Sequence, residues 1–356
     1  MASTSFAVND ALAVKLWSKM LDSEPLKAID IVPLIGDDKN SIIQRKTETE
    51  KGPGDQVTFA LKMQLSQAGF TRGETAEGNG EEITRYSDAL LISELGGNVG
   101  VESENTIDAQ RVSFDLRMEA KDSLAEWWAK RLSVSFFNQV CGYTAETNTK
   151  FTGLQAAIAP SSTRIIRQAS AATDQALTSN DRFSLDLVDK AKEMAETATP
   201  KIRPVVINGA KKYVMYLHPY QITDMRISTS TGQWLDIQKA AMAGMDSSKS
   251  PIYTGALGEY NDVILRRADD VTQGVNSSSG AAISTVRRAV LLGAQAAVCA
   301  YGQKNRPGKY RWNEELLDHG RKLEVSAWAI WGLKKTVFNS TDFGTVVVST
   351  YAAAHT

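Results

Sequence analysis

Histidine and cysteine are scarce in this chain: 356 residues hold three of the first (His218, His319, His355) and two of the second (Cys141, Cys299). They are dispersed, with no zinc-ligand spacing around them, so no metal site is nominated. Both cysteines sit inside apolar segments and read as buried free thiols, not as a disulfide framework. An excess of one charge is also lacking, with 40 Lys and Arg against 41 Asp and Glu. That balance excludes a dedicated nucleic-acid grip and limits contact with DNA to something weak or local. No apolar run approaches the roughly 18 residues of a membrane span, and the Ala-rich stretch 289–300 is too short. Asn9, Asp10, Lys15 and Lys19 interrupt the place where a signal peptide would carry its apolar core. The expectation is a soluble protein, without a membrane, folding in a cytoplasm.

Catalytic motifs are missing as well. There is no Gly-x-Ser-x-Gly elbow. GQKNRPGKY (Gly302–Tyr310) is one residue too long for a phosphate loop, puts Pro307 before the second glycine, and has Tyr310 where Ser or Thr would hold magnesium. The acid pairs Glu81-Glu82, Asp269-Asp270 and Glu314-Glu315 lie in polar context and read as solvated. The doublets Lys211-Lys212, Arg266-Arg267, Arg287-Arg288 and Lys334-Lys335 lack interleaved aromatics and read as surface or inter-subunit charge. No catalytic residue and no cofactor-binding residue is nominated. The rival of a different class, an enzyme with an unrecognised site, would need a strongly perturbed acid or histidine in a deep pocket.

What is present begins with a long helix, expected over Ile107–Gly142. Leu116, Ala120, Leu124, Trp127, Trp128, Leu132, Phe136 and Val140 recur at three- and four-residue steps and form one broad apolar face. Arg117, Glu119, Lys121, Asp122, Glu126 and Lys130 scatter charge over the other side. Gly142 can close the helix in a left-handed conformation.

Ahead of it, Asn9–Leu21 is a short amphipathic helix carrying Trp17, and 23–54 is rich in Pro, Gly and charge, an extended arm and not a packed layer. Gln56–Leu65 alternates, with Val57, Phe59, Leu61, Met63 and Leu65 on one face. Four glycines (Gly69, Gly73, Gly78, Gly80) follow in a polar stretch, and Glu82–Glu94 returns with Ile83, Tyr86, Leu90 and Ile92. The reading is a two-stranded ribbon with a loose tip, either projecting onto another subunit or folded as an internal hairpin, since an isolated ribbon is unstable in water.

Beyond Gly142 the pattern weakens, and 161–180 is expected to be loop or adaptable surface. Phe183–Ala198 is a helix closed by Pro200. Pro204–Asn208 and Tyr213–His218 form a two-strand unit, Pro219 starts a helix through Ile227, and Tyr260–Leu265 is a strand. Gln273–Gly280 reads as a linker, Val286–Gly302 as an apolar run broken by Gly293. Leu323–Phe338 and Phe343–Tyr351 are strands joined by a turn at Asn339–Asp342, burying Ala327, Ala329, Trp331, Val346 and Val348. Strands and helices alternate, an α+β class.

An arm, a ribbon, a long helix and an α+β body without a catalytic constellation suit a thin protein shell, where reaching over a neighbour buries more area than touching edge to edge. Five ordered blocks carry a specific likeness: FDLRMEAKDSLAEWWAKRL in the long helix, YVMYLHPYQITDMR (Tyr213–Arg226), PIYTGALGEYNDVILRR (Pro251–Arg267), RAVLLGAQAAVCAYG (Arg288–Gly302) and WGLKKTVFNSTDFGTVVVST (Trp331–Thr350). From about residue 40 to 350 the chain resembles the major capsid proteins of N4-like tailed phages. A local departure falls at Leu317-Asp318-His319-Gly320, where the family tends to have aromatic residues.

The resemblance implies an HK97-like capsid fold, with an N-terminal arm (1–51), an extended E-loop (52–105), a peripheral domain with its spine helix (106–180), an axial domain (181–309) and a return to the peripheral domain (310–356). It implies a homo-oligomer of hexamers and pentamers closing around packaged double-stranded DNA, which is touched non-specifically. Portal, scaffold and decoration proteins are the further partners it suggests. The expected location is the virion, assembled in the bacterial host's cytoplasm. Inter-subunit contacts are expected at Trp17 of the arm and at Val57, Phe59, Leu61, Phe70, Arg72 and Tyr86 of the ribbon. Some relatives of the fold join subunits through a Lys–Asn isopeptide bond; Lys62 lies on the ribbon, but nothing marks a partner Asn or a positioned acid, and no crosslink is expected. A cellular nanocompartment shell shares the fold and is the nearer alternative.

Overall fold

Asp115 opens the long helix. Its carboxylate accepts from the backbone N–H groups of Arg117 (2.8 Å) and Met118 (3.3 Å), capping two donors that the first turn leaves unsatisfied. Leu116–Val140 follows as 25 helical residues, a rod of about 37 Å. The computed structural model describes residues 31–51, 53–62, 65–102, 107, 115–207, 209–227, 258–303 and 309–355. The expected helix Asn9–Leu21 with Trp17, the residues 108–114 assigned to the long helix, and the Pro251 end of one sequence block lie outside the described residues.

The helix ends as Gly142 suggests. Gly142 has φ +63°, its N–H donates to Gln139 O, and Tyr143 N–H donates to Asn138 O at 2.9 Å, the paired bonds of a Schellman close. A Cβ there would meet Ile158 O at 2.7 Å and Pro160 Cδ at 2.6 Å, so only glycine satisfies both the angle and the space.

Ala120, Leu124, Trp128, Leu132, Phe136 and Val140 are buried along one helix face as the periodicity requires. Trp128 packs on Tyr310 (centroids 4.7 Å) and Trp331 (6.2 Å). Lys121 corrects the expectation of a solvated charged side: it is buried, 4.0 Å from Asp122. The core around the helix draws residues from both large sheets, so more of its circumference is covered than one stripe.

Both sheets are mixed, and the class is α+β as expected. The six-stranded sheet is built on Lys322–Lys335, which pairs antiparallel with Ser93–Glu102, Arg311–Leu317 and Ala297–Tyr301. Leu323, Val325, Ala327, Ala329 and Trp331 face the helix, each large side chain contributing roughly 1.5–3 kcal/mol by burial. Ser93–Glu102 makes room for two tryptophans through its glycines. A Cβ on Gly96 would sit 2.2 Å from the ring of Trp328, and one on Gly97 would sit 3.2 Å from Trp127.

Ile43–Lys46 joins this sheet parallel to Ala297–Tyr301, with Ile35–Gly36 beside it. Ile31, Leu34, Ile42 and Ile43 are buried. The reading of 23–54 as an unpacked arm is therefore corrected for its described part: the sparse apolar residues are enough for a short edge of the sheet.

The eight-stranded sheet runs Ile165–Arg167, Thr345–Tyr351, Ala282–Leu292, Ala210–Leu217, Val263–Arg267, Glu259–Tyr260, with Gln273–Val275 and Val205–Ile207 on its margins. Helices Leu185–Thr197 and Pro219–Ile227 share its second core. Several expectations change here. The supposed linker is a hairpin, Gln273–Val275 against Ala282–Leu292. The supposed loop 161–180 holds a strand, and Arg164 and Asp174 within it are fully buried. Tyr260–Leu265 is two strands reversed at Asn261 and Asp262, both with positive φ, the geometry of a tight hairpin turn. Asn339 and Ser340 do the same at the expected turn.

Each sheet draws its strands from widely separated parts of the chain. Ile165–Arg167 and Thr345–Tyr351 belong to the eight-stranded sheet, and Ala297–Tyr301 to the six-stranded one. The chain passes between the two bodies at Gly293 and again between Lys335 and Thr345, because strands adjacent in sequence have partners in different sheets.

Candidate assembly surfaces

Gln56–Lys62 and Arg85–Leu91 pair antiparallel from Gln56↔Leu91 to Lys62↔Arg85. At the base the ribbon is anchored in its own chain. Val57 and Leu90 pack against Val298 and Ala300, with Phe59 and Ile92 beside them, and Phe59 meets Phe338 edge-on at 5.9 Å. Asp88 binds Lys334 Nζ, and its other oxygen accepts from the N–H of Val337 at 3.2 Å.

Beyond Lys62 the character changes. Residues 65–84 are exposed except for Glu81, which is half-buried, and Leu65, Phe70 and Ile83 stand 49%, 44% and 46% accessible. Three large apolar side chains thus stand in water along one exposed loop. Glu74, Glu77, Glu81 and Glu82 against Arg72 make the tip acidic.

The nominated contact residues therefore divide. Phe70 and Arg72 are exposed on the tip, Leu61 and Tyr86 are half-buried opposite one another, and Phe59 is half-buried against the body. Val57 is 6% exposed and packs into the chain's own core, where it holds the base of the ribbon. Trp17 lies outside the described residues. Trp328, at an outward position in the alternation of Lys322–Lys335, is a further large apolar side chain, 42% exposed.

Several charges expected at the surface are instead buried within the chain. Asp174 takes Arg288 at 2.8 Å and Arg167 at 2.7 Å, and Arg288 also donates to the Gly142 carbonyl at 2.8 Å. Burial opposes ionisation of Asp174, yet Arg288 and Arg167 together hold its carboxyl below the ordinary value. Lys335 bonds Asp342 at 2.8 Å and the Ile158 carbonyl at 3.0 Å with both charged side chains buried. Glu314, expected to be solvated, takes Arg117 and, at 2.7 Å, the indole N–H of Trp312. The doublet and acid-pair readings are thus corrected at Arg288, Lys335 and Glu314.

Burial, with Arg287 nearby, pushes His218 down to about 4. Its Nδ1 accepts from the Tyr220 N–H at 3.2 Å and its ring packs on Tyr220, which is the work of a cap on helix Pro219–Ile227. Cys141 and Cys299 are buried free thiols as expected, pushed up by burial to about 11 and about 12. Among the described residues no group of three or more His, Cys, Asp or Glu is placed to hold a metal, and no helix is long and apolar enough to cross a membrane.

A family model described as phage capsid protein matches residues 5–354. The capsid of Ralstonia phage GP4 is 30% identical and superposes with a TM-score of 0.78 over 100% of both chains. The cyanophage Pam1 capsid asymmetric unit is 20% identical, TM-score 0.73, covering 93% of this chain and 94% of the other. The acid-stable capsid of Helicobacter pylori bacteriophage KHP30 is 16% identical, TM-score 0.63, over 91% of each. No curated protein sequence matches the chain.

Proposed function

The chain belongs to the phage capsid protein family, and from that premise we propose how its copies build a shell. It is a major capsid protein with the HK97-like fold, a structural component of the virion whose copies form an icosahedral shell. The ribbon is the E-loop, and its tip, residues 65–84, crosses to a neighbouring subunit within hexamers and pentamers. The observation that carries this is the change along the ribbon: a base locked into its own core and a tip with Leu65, Phe70 and Ile83 in water. Leu61, Phe70, Arg72 and Tyr86 are the contacts, joined by Phe59 at the base and by Trp17 from the arm.

The long helix is the spine of a peripheral domain and the eight-stranded body is the axial domain. Packaged double-stranded DNA is touched non-specifically, in keeping with the balanced charge. Portal, scaffold and decoration proteins complete the particle, which assembles in the cytoplasm of the bacterial host. Within that family, the likeness of the five sequence blocks supports the N4-like branch as our reading, and the match over 5–354 favours a phage shell over a cellular nanocompartment.

Negative-stain electron microscopy of the purified full-length chain, after size exclusion and with or without co-expressed neighbouring proteins, tests the reading. Rings of five and six or closed shells are expected. A monomer that persists at high concentration and with a scaffold present overturns it.

A further inference from the structure

The exposed tip of the ribbon is not the loose loop that its glycines suggest. Glu81 reaches across it to the opposite leg, where Oε1 accepts from the Ser66 N–H (2.8 Å) and hydroxyl (2.7 Å), and Oε2 accepts from the N–H groups of Ser66 (2.9 Å) and Gln67 (2.7 Å). Both carboxylate oxygens are engaged by one short stretch of chain. Inside the loop so closed, Thr71 and Glu74 bond reciprocally, Thr71 N–H to Glu74 Oε2 at 2.7 Å and Glu74 N–H to Thr71 O at 3.1 Å. A second turn closes from Asn79 N–H to Ala76 O at 3.2 Å, and the Asn79 side chain donates to Thr75 O at 2.9 Å. Phe70 and Arg72 lie between these fastenings.

We propose that Glu81 is a carboxylate clamp that pre-shapes the ribbon tip, so that Phe70 and Arg72 are presented as a formed surface before any partner is met. Pre-ordering matters because a loop that orders only on contact loses its conformational entropy at that moment. Closing the loop across Ser66 and Glu81 removes much of that loss in advance. The Ser66 N–H first, then its hydroxyl and the Gln67 N–H, favour the ionised Glu81 and hold it below the ordinary carboxylate value. The other charges on the loop are Glu74, Glu77, Glu82, Arg72 and, at the ribbon edge, Arg85. The clamp itself does not depend on what the tip touches; only its consequence for assembly rests on the shell reading.

Hydrogen exchange of the full-length chain, followed in peptides covering 65–84, separates the two. Glu81→Ala is expected to raise exchange at Ser66 and Gln67 about two- to fivefold, the range of a screened surface interaction. Glu82→Ala removes an equal charge next door and should leave exchange unchanged. Trypsin cleavage after Arg72 is the second readout and should speed up in Glu81→Ala alone. Equal exchange in wild type and Glu81→Ala, or equal acceleration in both variants, overturns the clamp. Accelerated exchange in Glu81→Ala with undiminished shell formation keeps the clamp and instead removes the tip from the assembly contact.

Discussion

Single residues decide how the eight-stranded body is held together. Asp174 is the sharpest case, a carboxylate with no exposed side-chain surface between Arg167 and Arg288. Replacing it with Asn leaves Arg288 buried without its counter-charge, and the chain should lose about 3–5 kcal/mol of stability at pH 7. The pH dependence has a definite sign. Because the folded-state value lies below the ordinary 3.8, the contribution is fully present above that value and is lost as pH falls through the lower folded one. Denaturant unfolding at pH 7 and near pH 3 should show the gap between wild type and Asp174→Asn narrowing in acid; a constant gap would contradict the assignment. Little of this was visible in the letters. Arg288 and Lys335 are each half of a basic doublet, and nothing local distinguishes the fully buried member from its half-buried neighbour until the strand's phase against the long helix is known.

At the scale of elements, local rules worked where the signal was strong. The helix face from Ala120 to Val140, the glycine stop and the alternation along Lys322–Lys335 are periodic patterns, and the structure places them as the periods demand. Gly142→Ala should cost about 2 kcal/mol or more, since a left-handed backbone penalises a side chain by roughly 1–2 kcal/mol and the new Cβ meets the Ile158 carbonyl. Thermal melting of the purified chain measures it, and a melting point equal to wild type would remove the closing turn from the account. Short elements were misread. Ile165–Arg167, three residues in a Ser- and Ala-rich stretch, becomes a strand only because Thr345–Tyr351 offers a parallel partner. A three-residue strand carries too little periodicity to announce itself. Gln273–Val275 was hidden the same way by the Ser and Gly residues of its own turn.

For the whole molecule, the division of labour along the ribbon can be tested by contrast. Leu90→Ala empties a fully buried site at the ribbon base and should cost about 2–5 kcal/mol in unfolding. Phe70→Ser on the exposed tip should change unfolding by less than about 0.5 kcal/mol yet lower the yield of shells seen by electron microscopy. Shell yield unaffected by Phe70→Ser would move the inter-subunit contact elsewhere, with Trp328 on the outer sheet face the next surface to examine. The sequence by itself determined the class of the fold, the long helix and its stop, the ribbon and the buried thiols, which rest on periodicity, turn chemistry and composition acting over a few residues; the likeness of five ordered blocks pointed separately to a phage capsid protein. The tertiary structure alone decided which sheet each strand joins, that the early segment 35–46 is part of a sheet, that Val57 anchors the ribbon, and that Arg288, Glu314 and Lys335 are buried. Those outcomes depend on strand partners often a hundred or more residues apart, and on which side of the long helix each body packs, neither of which any local stretch of sequence encodes.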